Sequence, residues 1–403
     1  MKVGSLVFPL PITYNMSTLL PRPSLRIVTW NVNGLRSYIT DHLDSKKFRG
    51  KTALAPNSNL AELLRKTDAN VLCFQETRAN AETMAKFQIP DWRIWSHSSQ
   101  GEGARRGNSY SGTSIWVHES FLKEMGEPLT VLRAIPTIEV PIEVPIEVPP
   151  STISGFFETS PPRDPEESSK ETPPLDPEGR FIALDFGKLL ILNSYVPNSG
   201  SNAVYRSTVW DPAVEAYLKE IAQTRPETRV VWCADWNVAP SPRDFYHGDP
   251  IRTPKGQRIV KRHTELGHRR SNPEYIEEME TWRREWEQTD AMQGKGTDVQ
   301  AGFLKVERDA WQRFQEAGYV DSWRHLHSGE NYTGYTWYSL RADGTREARL
   351  GWRIDHILVS QGHVGNVCEC RCLPEVGEAT KRDEGIKKYG SDHVPLFARI
   401  QLV

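Results

Sequence analysis

Short apolar runs separated by polar or glycine-containing turns extend along most of the chain, and this pattern predicts a β-rich protein. The predicted strands span 25–30, 71–74, 111–117, 180–186, 189–196, 229–234, 335–338, 352–359 and 394–403. Helical periodicity predicts helices around 60–64, 214–222, 274–289 and 306–317, the first with Asn59 as its N-cap. Hairpins, scattered helices and few βαβ repeats favour two sheets packed face to face with helices outside.

A proline-rich, acidic segment at 136–178 interrupts this pattern. Pro-Ile-Glu-Val occurs twice in tandem at 141–148, and eleven of the 28 prolines fall within the segment. Because proline cannot donate to a strand ladder, we predict an extended, disordered insertion, with a domain linker as the alternative. The strands on both sides look like parts of one fold, which favours the insertion.

The net charge of −2 is unevenly distributed along the chain. Residues 136–178 contain ten acids and two bases, so the remainder of the chain carries +6. Seven bases and one acid cluster at 251–270, a candidate loop for contacting a phosphate backbone or a solvated loop. The folded part is therefore mildly basic, as a nucleic-acid-binding protein requires.

Composition narrows the class of protein further. The chain is 38% apolar and 25% charged, and it contains no run of about 18 apolar residues, so we expect no membrane partner. Residues 1–24 contain Lys2 and Arg22 and no acid, which is typical of a disordered tail or a transit peptide. Five cysteines indicate a reducing compartment, although Cys368, Cys370 and Cys372 have the spacing of a small metal site.

Polar residues stand at the ends of several predicted strands, and a Gly-Ser-Asp-His turn precedes the last one. The candidates are Asn31, Glu76, Asp235, Asn237, Asp355, Asp392 and His393. If these strands belong to one sheet system, their ends converge on one site. A buried Glu76 suits a hard cation such as Mg²⁺, and Asp355 is predicted to pair with His393 rather than His356.

Each candidate also has a structural interpretation when it is considered alone. Asn31 is a plausible turn residue, and Asp235 and Asn237 could cap a following turn. In an extended chain Asp235 and Asn237, two residues apart, would point to the same side. Tyr195, Trp337 and Trp352 are residue types that commonly fill a core. Their shared position at strand ends favours a site over these interpretations.

Nine motifs together resemble the exonuclease III family of apurinic/apyrimidinic endonucleases, within the endonuclease/exonuclease/phosphatase superfamily. They are Thr29-Trp-Asn-Val-Asn-Gly-Leu-Arg36, Gln75-Glu-Thr77, Tyr110-Ser-Gly112, Glu178-Gly-Arg180, Tyr195-Val-Pro-Asn198, Asp235-Trp-Asn237, Ala301-Gly-Phe303, Gly351-Trp-Arg-Ile-Asp355 and Gly390-Ser-Asp-His393. The resemblance covers most of 25–403 outside the insertions. It implies an α+β fold, a four-layered α/β sandwich of two mostly antiparallel sheets flanked by helices.

The resemblance also implies an activity and its residues. It implies hydrolysis of the DNA phosphodiester 5′ to an abasic site, with 3′-phosphodiesterase or 3′→5′ exonuclease activity beside it. Glu76, Asn33 and Asp392 would bind Mg²⁺, with Mn²⁺ as a substitute. The catalytic set would be Asp235, His393, Asp355, Tyr195, Asn237 and Asn31, and substrate contacts would come from Asn198, Trp337, Trp352 and Ile354. A flipped abasic sugar would occupy the pocket of the last three.

Three departures from the family pattern stand out. Asn33 replaces an aspartate found in some members, 199–202 lacks a wedge arginine, and 136–178 and the enlarged 238–300 region have no counterpart. A lipid phosphodiesterase on the same fold and an inactive DNA-binding scaffold are the alternative functions. We expect a monomer that binds double-stranded DNA with abasic sites or blocked 3′ ends, in the nucleus, with the mitochondrion as the alternative.

Overall fold

The computed structural model describes residues 23–35, 58–98, 111–136, 176, 178–244, 301–328, 334–339, 351–376, 378–380, 387–389 and 391–402. The predicted basic loop at 251–270, the predicted helix at 274–289 and nearly all of the 1–24 tail lie outside these residues. Ser24 already belongs to the first strand, one residue inside the predicted tail.

Fourteen strands are present in the described part of the chain. They are β1 (Ser24–Asn31), β2 (Val71–Gln75), β3 (Trp92–His97), β4 (Thr113–His118), β5 (Thr130–Leu132), β6 (Phe181–Asp185), β7 (Leu189–Tyr195), β8 (Arg229–Asp235), β9 (Tyr319–Asp321), β10 (Asp355–Ser360), β11 (Val367–Cys372), β12 (Glu378–Thr380), β13 (Lys387–Tyr389) and β14 (Leu396–Gln401). The helices are α1 (Asn59–Thr67), α2 (Ala81–Ala85), α3 (Glu119–Met125), α4 (Ser199–Tyr205), α5 (Asp211–Thr224), α6 (Lys305–Glu316) and α7 (Ser322–Leu326).

Two six-stranded sheets form the centre of the fold. The first has the order β11-β14-β1-β2-β4-β3 and the second the order β5-β6-β7-β8-β10-β9, while β12 and β13 form a separate hairpin. Only β1–β2 and β7–β8 pair in parallel within the described sheets, and the other pairs are antiparallel. The predicted α+β sandwich of mostly antiparallel sheets is therefore confirmed.

The core between the sheets consists of the alternate side chains that each strand directs inward. Ile27, Ile115, Ile191 and Ile357 are fully buried members of this cluster. The outer face of the second sheet packs against α5 and α6 through tryptophan and aliphatic side chains, and α1 covers the outer face of the first. Each large apolar side chain buried in this way contributes about 1.5–3 kcal/mol.

A polar contact also crosses between the sheets inside the core. Asn193 of β7 donates from its amide nitrogen to the carbonyl oxygens of Phe74 and Ser114, each at 2.9 Å. Its amide oxygen accepts from Gln75 at 2.6 Å. Both polar ends of the Asn193 amide are paired across the sheets, so the contact fixes how the two sheets align at the end where β2 and β7 terminate.

Three local predictions differ from the structure. Ser58, not Asn59, caps α1, because the Ser58 hydroxyl accepts from the Ala61 N–H at 3.2 Å. Residues 335–338 form no strand, and Trp337 instead makes single bridges to Trp352 and His393. Asp355 begins β10 rather than lying in its middle.

The predicted insertion at 136–178 connects β5 to β6, which are antiparallel neighbours. The chain therefore leaves and re-enters one sheet. The segment 137–175 lies outside the described residues, but Asp176 is buried, and its carboxylate accepts from the N–H groups of Arg180 and Phe181 at 2.9 and 2.8 Å. The last residues assigned to the insertion thus belong to the fold, as do 238–244 of the enlarged region, where Val238, Ala239 and Asp244 are buried.

Candidate active site

Strand ends from both sheets meet at one end of the sandwich. Asn31 lies opposite Gln75 at the end of the parallel pair β1–β2, and Tyr195 lies opposite Asp235 at the end of β7–β8. Asp355 begins the antiparallel strand β10 directly opposite Asp235. The predicted convergence of strand-end residues therefore occurs.

Three site residues leave their strands through left-handed backbone conformations. Asn33, Glu76 and Asn237 have φ values of 47°, 47° and 48°. Such conformations are unfavourable for residues other than glycine and concentrate at functional sites. The chain after Asp235 is therefore not extended, as the sequence prediction assumed, and the Asn237 N–H donates to the Asp235 carboxylate at 3.0 Å.

Asn31 links the two sheets at the centre of the site. Its amide nitrogen donates to Glu76 Oε1 and to Asp235 Oδ2, both at 2.9 Å. The Asn31 amide oxygen accepts from the Asn33 N–H at 3.0 Å. One neutral amide thus holds two buried carboxylates at a fixed separation, a role that its predicted contact with phosphate did not include.

His393 lies between two carboxylates. Its Nδ1 is 2.8 Å from Asp355 Oδ2, and its Nε2 is 3.8 Å from Asp235 Oδ2. The predicted pairing with Asp355 is therefore correct, while His356 contacts Arg353 and the Val238 carbonyl oxygen on the other side of β10. The ring has one nitrogen toward a fixed carboxylate and the other toward the open side of the site.

Two hydroxyls support this arrangement, and sequence analysis missed both. Ser391 Oγ donates to the Asn31 carbonyl oxygen at 2.7 Å and accepts from the His393 N–H at 3.0 Å. Thr336 Oγ1 accepts from the N–H groups of Ile354 and Asp355 at 3.1 and 3.0 Å. Ser391 belongs to the Gly-Ser-Asp-His motif, so the sequence could have indicated it as a site residue. For Thr336 the only indication in the sequence is its position next to Trp337.

Burial and neighbouring charges shift the pKa values of His393 and Asp235. Burial alone would lower the pKa of His393, but the negative charges of Asp355 and Asp235 outweigh it and raise that pKa to about 10. Burial and the charge of Asp355 raise the pKa of Asp235 to about 7, against the opposing effects of His393 and Asn31. The imidazole is thus a proton donor at neutral pH, and the Asp235 carboxyl is tuned to exchange a proton there.

Two groups of residues could hold a metal ion. Ligand atoms of Asp235, Asp355 and His393 all lie within 4.8 Å of one another. However, both nitrogens of His393 face carboxylates in this group, which is the geometry of proton transfer. Glu76, Asn33 and Asp392 offer oxygen atoms alone, the ligand type that Mg²⁺ prefers.

The contacts of Glu76 and Asp392 leave them available to a cation. Glu76 Oε2 accepts from Arg78 at 2.7 Å, and although burial opposes ionisation, Arg78 and Asn31 hold the Glu76 pKa below its usual value. Asp392 Oδ1 is 3.4 Å from the Asn33 amide nitrogen, and its Oδ2 accepts from the Trp337 indole at 2.9 Å. Both carboxylates are partly exposed, and the Asn33 amide lies beside Asp392, so these residues offer the oxygen ligands that a hard divalent cation prefers.

Tyr195 and Asn198 flank the open side of the candidate site. Burial and the charge of Glu76 raise the Tyr195 pKa well above its ordinary value, so the phenol stays a hydrogen-bond donor. Arg180, which sequence analysis did not single out as a site residue, lies over the Tyr195 ring at 4.5 Å from its centroid. Asn198 donates to Asn237 Oδ1 at 3.2 Å, and Asn237 donates to the Val196 carbonyl oxygen at 2.9 Å.

The three predicted pocket residues are neighbours, with unequal exposure. The Trp337 and Trp352 rings lie 4.9 Å apart. Trp352 and Ile354 are 5% and 3% exposed, so they form the floor, whereas Trp337 is partly exposed. A side chain at Gly302 would place its Cβ 3.0 Å from the Trp352 ring, which explains glycine at that φ of +90°.

Similarity to known proteins extends over most of the chain. The sequence signature of the endonuclease/exonuclease/phosphatase family matches residues 28–393. An exodeoxyribonuclease of Bacillus subtilis (strain 168) is 25% identical over 374 residues, which cover 92% of this chain and 98% of the relative. A DNA-(apurinic or apyrimidinic site) endonuclease of Dictyostelium discoideum is 25% identical over 382 residues, covering 94% and 71% of the two chains.

Solved structures share the fold. The AP endonuclease of Leishmania major superposes with a TM-score of 0.58 at 21% identity, over 95% of this chain and 89% of that one. The 3′-5′ exonuclease of Neisseria meningitidis gives 0.54 at 19% identity, over 94% and 100%. From the matched signature over most of its length, the chain belongs to the endonuclease/exonuclease/phosphatase family, and its curated relatives support a place in the exonuclease III branch.

Proposed function

We propose that this chain is a DNA-repair nuclease that hydrolyses the phosphodiester 5′ to an abasic site and leaves a 3′-hydroxyl. The observation that carries the proposal is the Asp235–His393–Asp355 arrangement, joined to Glu76 through the bridging amide of Asn31. This arrangement offers a proton acceptor, a proton donor and a cation site at the end of one sandwich. Removal of blocking groups or nucleotides from 3′ ends would use the same residues.

Asp235 is the proton acceptor in this mechanism. Its carboxylate orients a water and takes the proton as the water oxygen bonds to phosphorus. The bond from phosphorus to the upstream 3′ oxygen breaks, that oxygen takes a proton from solvent and leaves as the 3′-hydroxyl, and the phosphate stays on the 5′ side of the abasic sugar. The pKa of Asp235, raised to about 7 by burial and the charge of Asp355, suits this transfer, whereas His393 is already protonated.

His393, Tyr195 and Asn237 contact the phosphate in this proposal. His393 donates from Nε2 to a non-bridging oxygen, with its ring held by Asp355. Tyr195 donates from its phenol, and Asn237 donates the amide N–H that Val196 does not accept. Asn31, which the resemblance places at the phosphate, gives both amide N–H bonds to Glu76 and Asp235, so it orients these two carboxylates instead. Donors arranged in advance around developing negative charge typically supply the largest part of such a rate enhancement.

Glu76, Asn33 and Asp392 would hold the divalent cation, with Mg²⁺ as the expected ion and Mn²⁺ as its substitute. When bound, the cation would neutralise charge on the phosphate. Asn198 would contact the DNA backbone, and Trp337, Trp352 and Ile354 would enclose the extruded abasic sugar. A nucleotide without a base leaves the stack at lower cost, which would contribute to selectivity.

The proposal also covers the binding partner, the oligomeric state and the location of the protein. Double-stranded DNA is the proposed partner, bound by a monomer in the nucleus, with the mitochondrion as the alternative. Among the described residues no helix is long and apolar enough to cross a bilayer. Disorder of the tail and of the 136–178 insertion, and the role of the basic 251–270 loop, stay predictions for residues 1–22, 137–175 and 251–270, which lie outside the described residues.

The proposal is tested with a labelled duplex that contains one tetrahydrofuran abasic analogue. We expect incision on the 5′ side of the analogue with Mg²⁺ and none with EDTA, and the product should be extended by a DNA polymerase because it ends in a 3′-hydroxyl. A phosphoinositide substrate run in parallel tests the lipid phosphodiesterase alternative. Hydrolysis of the lipid without incision of the duplex would overturn the proposal, and activity on neither substrate would favour the scaffold.

A further inference from the structure

Arg206 is a charged residue buried under the loops of the proposed site. It is 1% exposed and begins Arg206–Trp210, a π-helical turn that joins α4 directly to α5. Pro212 explains the turn, because proline lacks an N–H and its ring displaces the carbonyl four residues earlier. A π-helical turn widens the helix and redirects side chains, and such turns are frequent at functional sites.

The guanidinium of Arg206 lies among acceptors from three separate segments. Its Nη1 is 3.4 Å from the Pro197 carbonyl oxygen, 3.3 Å from the Asn237 carbonyl oxygen and 3.3 Å from Glu307 Oε1. Its Nε is 3.5 Å from Asp211 Oδ2. Among the described residues Nε and Nη2 have no hydrogen-bond partner, so Nη1 makes the contacts that join the three segments.

Glu307 extends this contact to a further loop. Its Oε1 accepts from the Gly302 N–H at 3.1 Å, and its Oε2 accepts from the Leu304 N–H at 2.8 Å at the start of α6. Gly302 in turn accepts the Ala239 N–H at 2.7 Å. One buried ion pair thus connects the 197–198, 237–239 and 301–304 loops.

These three loops carry residues of the proposed site. Pro197 precedes Asn198, whose amide donates to Asn237 Oδ1 at 3.2 Å, and Gly302 packs against Trp352. We propose that Arg206 is a positioning residue that holds Asn198 and Asn237 at the separation needed to contact one scissile phosphate. Its effect on catalysis rests on the proposed function, while its effect on the loops does not.

Stability alone is a weak reason for this ion pair. Burial of charges is costly, and a buried pair replaced by neutral side chains of similar volume often leaves a protein equally stable. The guanidinium fork reaches two backbone carbonyl oxygens through its Nη1, and an apolar side chain cannot make these contacts. Geometry is therefore the property that distinguishes Arg206 from a core methionine.

The test compares Arg206→Met/Glu307→Gln with wild type and with the control Arg313→Met. Glutamine keeps one acceptor oxygen, for either the Gly302 or the Leu304 N–H, and Asp211, whose pKa burial already raises, can take up a proton when the guanidinium is absent. Arg313 is a half-exposed arginine of α6 that pairs with Glu215 at the surface. Arg206→Lys, which retains the charge without the fork, is the second variant and keeps the test valid if the double variant unfolds.

Hydrogen exchange measured by mass spectrometry reports on the loops without any substrate. We expect amides in 196–200 and 236–239 to exchange at least about tenfold faster in the double variant, less so in Arg206→Lys, and unchanged in Arg313→Met. On the abasic duplex kcat should fall by about 100-fold with KM within about threefold, since misplaced contact groups affect the reacting geometry first. Exchange and kcat both within twofold of wild type would overturn the proposal, and absence of incision by wild type would instead overturn the proposed function while exchange still decides the role of Arg206.

Discussion

Asp355 and Asp235 face each other directly across the antiparallel strands β10 and β8. Like charges in that relationship repel, and His393 is the cation between them. Within the described residues Asp355 Oδ1 has no hydrogen-bond partner. The site therefore keeps an electrostatic arrangement that folding alone would not favour, which is typical of a catalytic centre.

Asp355→Asn separates the catalytic and structural effects of this charge. We expect incision to fall by about 10²- to 10⁴-fold, because the imidazole loses the carboxylate that supports its charged form. The melting temperature should change by no more than about 2–4 °C, since the loss of the ion pair with His393 is offset by removal of the repulsion with Asp235. Thermal denaturation and single-turnover incision measure the two effects, with the exposed Asp309→Asn as control. A large loss of stability would contradict this account.

Trp337→Phe tests the link between the pocket and the proposed cation site. Phenylalanine keeps an aromatic ring but cannot donate to Asp392 Oδ2, so the carboxylate loses a partner that orients it. Loss of such an outer partner typically weakens metal binding by about 10–100-fold. The Mg²⁺ concentration for half-maximal incision and calorimetric Mg²⁺ binding should both shift.

Trp352→Phe is the matched control for this prediction. It trims the neighbouring ring of the same stacked pair and leaves the bond between Trp337 and Asp392 in place. Equal Mg²⁺ requirements in both variants and wild type would show that the indole does not support the cation site.

Two deletions test the boundary of the proline-rich insertion. Replacement of 138–174 by a short Gly/Ser linker should leave incision and melting temperature near those of wild type. Deletion of 138–178 should lower the melting temperature, because it removes Asp176, which accepts from the N–H groups of Arg180 and Phe181. A folded but inactive 138–174 deletion would show that the insertion takes part in the chemistry.

A buried ion cluster predicts acid sensitivity. Arg353 donates to Asp244 Oδ1 and Asp321 Oδ2, each at 2.6 Å. Burial would raise the pKa of both carboxyls, but the Arg353 charge outweighs it and lowers both. Their stabilisation is therefore complete above the unfolded pKa values near 4 and is lost as the pH falls below them.

Asp244→Asn should reduce the free energy of unfolding at pH 7 by about 3–5 kcal/mol, since it leaves Arg353 partly unpaired in the interior. It should also flatten the decline of that free energy between about pH 5 and pH 2. Urea denaturation at several pH values measures both effects. Glu82→Gln, which removes an exposed partner of Lys86, is the control. Parallel pH curves for Asp244→Asn and wild type would contradict the assigned cause.

Much of the architecture could be predicted from the chain because strands have a short, local signature. The apolar runs that end in Asn31, Glu76 and Asp235 are strands, and their ends do converge. Conformations that depend on distant partners could not be predicted. Asn237 has a left-handed backbone conformation in place of the predicted extended one, and Asp355 begins its strand because Trp352 pairs with Trp337 instead.

Two buried arginines, Arg206 and Arg353, could not be recognised as buried from the sequence either. Arg206 and Arg353 look like surface residues in the sequence, and their acidic partners Glu307 and Asp244 lie 101 and 109 positions away. Only the folded chain shows that these charges are buried and paired. Site residues within motifs could be found in the sequence, whereas the groups that hold those motifs in place could not.

The most direct test of the central claim is incision of the tetrahydrofuran duplex by wild type and by Asp235→Asn under identical Mg²⁺ concentrations. Asparagine keeps the shape of the side chain and one of its two acceptor oxygens but cannot accept the proton of the attacking water. We predict Mg²⁺-dependent incision 5′ to the analogue by wild type and a loss of at least about 10²-fold in the variant, with both proteins folded. Incision at the wild-type rate by Asp235→Asn would contradict the account.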